Sequence, residues 1–193
     1  MSVPASPESF FTQYLPERFS GLPGFEQTSS HGSVAFAVPQ VGVWSFRMRV
    51  GELLCEPGLP RDPVARITIP ESSFEPIVVR GTERMASLAL SPDKQMLAFR
   101  ALTLDSERVA QIRAVAGSVS FAVLDGKDTH RVYVTPGSAE PNLEHPECEI
   151  SCEAEAFWGL QTGAQNPFEL LMSGKIKIAG QAQIPMALSS LFV

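Results

Sequence analysis

Cysteine is scarce: Cys55, Cys148 and Cys152 are the only three in 193 residues. An odd, small number excludes a disulfide scaffold and suits a reducing compartment. Basic residues are also few, 15 Lys and Arg against 21 Asp and Glu, for a formal net charge of −6 with no basic cluster. Such a chain is a poor holder of phosphate backbones, so nucleic acid is not expected as a partner. No apolar run approaches the roughly 20 residues of a membrane-spanning helix. Met1–Phe10 has neither a positive residue nor an apolar core, so it does not read as a secretion signal. The expectation is a cytoplasmic protein with no membrane span.

Apolar residues make up 44% and charged residues 19%, enough for a buried core. Sixteen Pro and 14 Gly predict many turns and short elements. The chain is long enough for one generous domain or two compact ones. A repeat favours two. Gly32-Ser33-Val34-Ala35-Phe36-Ala37-Val38 returns as Gly117-Ser118-Val119-Ser120-Phe121-Ala122-Val123, six of seven residues identical at an offset of 85. Ile67, Phe74 and Ile77 then fall opposite Ile150, Phe157 and Leu160 at an offset of 83. Loop deletions account for the drift, and the units divide as 1–104 and 105–193.

Both units read as short strands with interspersed helices. In the first, 32–38 is a strand, and 44–50 alternates with Trp44, Phe46, Met48 and Val50 on one face and Arg47 and Arg49 on the other. A strand over 66–69, a short helix over 70–80 limited by Pro76, and strands over 87–90 and 95–103 follow. In the second, a helix over 105–116 precedes strands at 119–124 and 130–135, joined through Asp125-Gly126. Cys148, Ile150 and Cys152 point inward from the next strand, with Glu149, Ser151 and Glu153 outward. A helix over 156–162, a helical turn or edge strand over 168–172, a strand over 175–179 and a terminal helix over 184–192 complete the chain.

Catalytic and metal motifs fail on inspection. Glu140, Glu144, Glu147, Glu149, Glu153 and Glu155 crowd one acidic stretch, but several are the solvent face of an alternating strand. His130, His145, Cys148 and Cys152 match no zinc spacing; the two cysteines lie about 13 Å apart along a strand, which makes shared coordination implausible and leaves them as small buried hydrophobes. Ser173-Gly174-Lys175-Ile176 is not a phosphate loop, because position 169 is Glu and Ile follows the lysine. What remains is a concentration of flexible apolar side chains in the last third. Each fits a plain core, and together they also suit a deformable pocket for a long apolar ligand.

That last third resembles the sterol carrier protein 2 (SCP2) family. The resemblance rests on Phe168-Glu169-Leu170-Leu171-Met172-Ser173-Gly174-Lys175-Ile176-Lys177-Ile178-Ala179-Gly180, followed by Ile184-Pro185-Met186-Ala187-Leu188-Ser189-Ser190-Leu191-Phe192. It covers 105–193 and extends more faintly over the first unit, where Ser91-Pro92-Asp93-Lys94 stands in place of the Ser-Gly-Lys segment. It implies an α+β fold: a mostly antiparallel five-stranded sheet, covered by helices on one side, enclosing a tunnel for a sterol, fatty acid, acyl-CoA or isoprenoid-type ligand. The family pocket survives in the second unit only, or in neither. Its implied lining is Phe157, Leu160, Phe168, Leu171, Met172, Met186 and Leu191.

Two functions compete. The first is a non-catalytic lipid carrier with no cofactor and no metal. The second is a structural or protein-interaction module of degenerate repeats with filled pockets; a homo-oligomer or protein partner is open under either. An enzyme with Glu or His at the pocket mouth has no motif behind it.

Overall fold

The computed structural model describes residues 2–19, 26, 29–88 and 102–188. Their strands are β1 (Ser33–Val38), β2 (Gly42–Arg49), β3 (Glu52–Pro57), β4 (Pro63–Thr68), β5 (Val119–Asp125), β6 (Asp128–Pro136), β7 (Cys148–Glu153) and β8 (Ile176–Gly180). They form one eight-stranded sheet in the order β3-β2-β1-β4-β6-β5-β7-β8. The five-stranded sheet expected from the family resemblance is therefore corrected to a larger, mixed one. The join is the antiparallel pairing of β4 with β6, where Ala65–Thr68 lies against Tyr133–Pro136.

The two halves of the sheet share a pairing pattern. Each has a hairpin whose first strand also pairs in parallel with a later strand: β1 with β2 and β4, β5 with β6 and β7. Phe36 sits between Trp44 and Ile67, as Phe121 sits between Val132 and Ile150. Phe74 and Phe157 are each the fourth residue of the helix that follows, although Phe74 is buried and Phe157 only half-buried. The halves also differ. Among the described residues β3 has no counterpart in the second half and β8 none in the first.

On β2, Trp44, Phe46 and Met48 are buried while Arg47 and Arg49 are exposed, as alternation requires. Val50 breaks the pattern: it is exposed, with φ +48°, and with Gly51 at φ +79° forms the two-residue turn into β3. The core face therefore ends at Met48, and β3, which sequence reasoning left unassigned, follows directly.

The N-terminal helix α1 was also unassigned. It runs through Pro7–Ser9, a π-helical Phe10–Tyr14 and Leu15–Phe19. Helix α2 comprises Glu71–Ser73, a π-helical Phe74–Val79 and Arg80–Ser87. Pro76 lacks an N–H and disrupts the ordinary i→i−4 ladder, and the chain absorbs this as a wide turn rather than ending the helix. Ser87 is thus helical, not the start of a strand; 89 and 90 lie outside the described residues, as do 95–101 of the next expected strand. Leu102 and Thr103 are not in a strand. Asp105 caps α3 (Ser106–Arg113), its Oδ1 accepting from Arg108 N at 2.8 Å. Then come α4 (Ala154–Gln161), α5 (Pro167–Met172) and α6 (Gln183–Ala187); the expected extension of α6 past 188 lies outside the described residues.

Strand register places the helix-packed residues on one face of the sheet. Phe10, Phe11, Tyr14, Phe74 and Val79 pack with Val34, Trp44 and Phe46. Val109, Ile112, Ile184 and Leu188 pack with Val64, Val119, Val134 and Cys148. Ala156 and Leu170 pack with Cys152 and Ile176. The opposite face carries small residues such as Ala35, Ala37, Ser120 and Ala122, all buried. Residues 137–147 cross part of it, tied by Tyr133 Oη donating to Leu143 O at 2.8 Å and by an Arg66–Glu140 ion pair at 3.0 Å.

Candidate functional site

On the helix-covered face of β6, β5, β7 and β8, paired residues make three parallel rows. The first, Val134–Val119–Cys148, is buried under α3 and α6. The third contains Val123, Cys152 and Ile176, all buried, the last two packed with Ala156 of α4 and Leu170 of α5. Between them runs Val132–Phe121–Ile150–Ile178. Val132, Phe121 and Ile150 are only half-buried, and Ile178 is 40% exposed. Val132, Phe121 and Ile150 pack against the flanking apolar clusters and Ile178 is exposed at the end of the row, so this middle row, less completely covered than its neighbours, is the floor of a candidate apolar trough.

The helices over the flanking rows are held by local constraints. Gly180 ends β8 at φ +91°, and a Cβ there would lie 2.3 Å from Glu147 O, so only glycine lets the chain turn toward α6. Gln181 N then donates to the same Glu147 O at 2.9 Å. The Glu147 carboxylate accepts from Ser118 N at 2.8 Å and Ser118 Oγ at 2.7 Å. The Ser118 hydrogen bond lowers its pKa from the ordinary carboxylate value, against a smaller opposing effect of burial. At the other end Gly81 of α2 lies against Trp158 of α4; a Cβ at Gly81 would come within 2.7 Å of the indole. A cleft of about 610 Å³ opens beside this contact, with Ile77, Val123 and Trp158 as apolar wall and Arg80, Arg84 and His130 among its polar groups.

In the first half, the row equivalent to the trough floor is Trp44–Phe36–Ile67. Phe11 of α1 lies on it, its ring centroid 5.2 Å from Phe36 and 4.9 Å from Trp44. Phe46 and Phe74 approach the same ring at 5.8 Å. Phe36 and Ile67 are half-buried, like Phe121 and Ile150 of the second-half row, and what sets the first half apart is the Phe11 ring lying on Phe36 and Trp44.

The expected lining residues distribute unevenly. Phe157 and Leu160 are half-buried and pack against Cys152, Ala156, Leu170 and Ile176. On α5 the buried residue is Leu170, while Phe168 and Met172 are 68% and 72% exposed and Leu171 is exposed too. On α6 Ile184 packs inward and Met186 is 73% exposed. Leu191 lies outside the described residues. Of the floor residues, Ile178 belongs to the concentration of apolar side chains in the last third, whereas Val132, Phe121 and Ile150 carry no such signal beyond the repeat that aligns Phe121 and Ile150 with Phe36 and Ile67.

Cys148 and Cys152 belong to two different apolar clusters, and burial pushes both thiols above their ordinary pKa. Among the described residues no three His, Cys, Asp or Glu side chains are grouped to hold a metal ion, and no helix is long and apolar enough to cross a membrane.

No curated protein matches the chain. Among solved structures, the sterol carrier protein domain 2 of Helicoverpa armigera is 26% identical, with 51% of this chain and 81% of that one covered and a TM-score of 0.35. The Aedes aegypti sterol carrier protein-2, solved in complex with palmitate, is 18% identical, with coverage of 51% and 89% and a TM-score of 0.36. The apo sterol carrier protein 2 of Yarrowia lipolytica is 19% identical, with coverage of 42% and 76% and a TM-score of 0.33. A family model matches the second half of the chain: residues 98–193 belong to the SCP-2 sterol transfer family.

Proposed function

We propose that this protein is a non-catalytic lipid carrier that holds a sterol, fatty acid, acyl-CoA or isoprenoid-type ligand in the trough of its second half. The observation that carries the reading is the half-buried row Val132–Phe121–Ile150–Ile178 between two buried rows. A long apolar ligand laid along it gains about 0.8 kcal/mol per CH₂ removed from water and completes the burial of the floor. Phe157 and Leu160 serve as one wall. Phe168, Leu171, Met172 and Met186 form the adaptable mouth, suited to closing around ligands of different shape. Membership of residues 98–193 in a sterol transfer family points the same way.

The chain divides, in this proposal, into related units at 1–104 and 105–193, of which the first has lost its pocket. Phe11 on Phe36 and Trp44 favours that loss, and gives the first unit a structural part while the second binds.

Uptake of a fluorescent fatty acid tests the proposal. The parent protein takes up the probe saturably, and Ile150→Trp, which fills the trough, lowers affinity at least about tenfold while changing stability by less than about 1 kcal/mol. In a closed core the same enlargement costs roughly 1–3 kcal/mol. That cost, together with a parent that takes up no probe, would leave the module with filled pockets as the better account.

A further inference from the structure

The sheet face opposite the described helices holds a second feature, independent of the trough. Where residues 137–147 cross β4 and β6, Arg66 Nε, Thr68 Oγ1, Ser120 Oγ and Thr135 Oγ1 are buried without a hydrogen-bond partner. Thr68, Ser120 and Thr135 are each more than nine-tenths buried. Register makes them neighbours: Arg66 is opposite Thr135, and Tyr133 lies between Thr68 and Ser120. Arg66 and Thr135, directly paired, stand about 5 Å apart at Cβ, whereas the Tyr133 side chain separates Thr68 from Ser120. A cleft of about 520 Å³ opens here, with Arg66 and Thr68 as its polar groups on β4 and Val38, Val41, Pro141 and Leu143 among its apolar walls.

Buried polar atoms without partners are costly; of the four, Arg66 and Thr68 line the cleft, and these two call for a group that satisfies them together. Arg66 Nε–H can only donate, so its partner must be an acceptor; the Thr68 hydroxyl supplies a further donor. The guanidinium already uses Nη1 on Glu140, whose side chain is 81% exposed and can leave without disturbing the core. A planar carboxylate fits a guanidinium with two parallel hydrogen bonds. The apolar walls suit an organic body attached to that carboxylate, the usual composition of a small-molecule pocket.

We infer that this cleft binds a small organic carboxylate, held by the Arg66 guanidinium and the Thr68 hydroxyl, which displaces Glu140 from Arg66. Titration of the ¹⁵N-labelled full chain with benzoate, benzamide and inorganic phosphate tests it. Benzoate should shift the Arg66 Nε–H resonance and the Thr68 amide saturably, and neutral benzamide should not. Glu140→Gln removes the competing carboxylate and should tighten benzoate about fivefold, the ratio matching loss of an exposed ion pair. Thr68→Val should weaken it. Arg66→Gln should abolish it, and because Glu140→Gln changes only an exposed side chain, the test survives if Arg66→Gln fails to fold. Equal shifts from benzamide, binding of phosphate without benzoate, or no saturable shift from any probe would overturn the inference; the last outcome leaves buried water as the partner of these atoms.

Discussion

Replacing Phe11 with alanine removes the side chain that occupies the first half's equivalent of the trough. Phe11 is essentially inaccessible to solvent and meets the rings of Phe10, Phe36, Trp44, Phe46 and Phe74 within 6 Å. Buried Phe→Ala changes cost about 3–5 kcal/mol. The upper part of that range is expected, because the π-helical segment carrying Phe11 is held to β1 and β2 and has little room to collapse, and because aromatic pairs add about 0.5–1.5 kcal/mol each beyond area burial. At about 2–4 °C per kcal/mol for a chain of this size, the melting temperature should fall by roughly 8–20 °C. Urea unfolding followed by tryptophan fluorescence reads the change directly, since Trp44 is one of Phe11's contacts. A loss below about 1 kcal/mol would mean that α1 does not hold this aromatic plug in place, and the contrast between a filled first half and an open second half would fail.

Two further outcomes test local parts of the structure. Val50→Asn should stabilise the protein by about 1 kcal/mol, because a β-branched residue at φ +48° carries left-handed strain that Asn-Gly relieves in a two-residue hairpin; thermal unfolding that shows no gain would remove the strained turn from the account. Glu147→Gln should destabilise the protein near neutral pH and progressively less in acid. The folded carboxylate has a lowered pKa, so its contribution is complete above the unfolded value and is lost as pH falls through the folded one; a pH-independent difference between wild type and variant would contradict the Ser118 hydrogen bond as its cause.

Strong alternation was readable in advance. Trp44, Phe46 and Met48 on β2, and Cys148 and Cys152 on β7, bury the side that their period of two assigns. Asp105 and Ser106 both suit the cap of α3 by sequence, and Asp105 takes it, because a cap needs only one side-chain oxygen and a free N–H three residues on. The failures have equally local causes. Val50 continued the apolar alternation but stands in a turn, which hid β3. Pro76 reads as a helix terminator, yet a π-turn carries α2 on to Ser87. The join of β4 to β6 depends on strand edges, and nothing in a repeated sequence tells which edge the next unit will take.

The site was legible as a region and less so by residue. In the short α5, Phe168, Leu170, Leu171 and Met172 are all apolar, so helical periodicity does not choose an inward face, and Leu170 takes it. The trough floor emerges only when three strand registers are laid side by side, because Val132, Phe121, Ile150 and Ile178 come from four different strands.

Photocrosslinking locates the ligand most directly. A fatty acid carrying a diazirine in its chain is bound to the full protein, irradiated, and the labelled residues are mapped by mass spectrometry. The account predicts labels on Phe121, Ile150 or Ile178 and on Phe157 or Leu160, suppressed by excess unlabelled fatty acid and absent in Ile150→Trp. Labels on Phe36 and Ile67 instead, or no competable labelling anywhere, would contradict a lipid site in the second half.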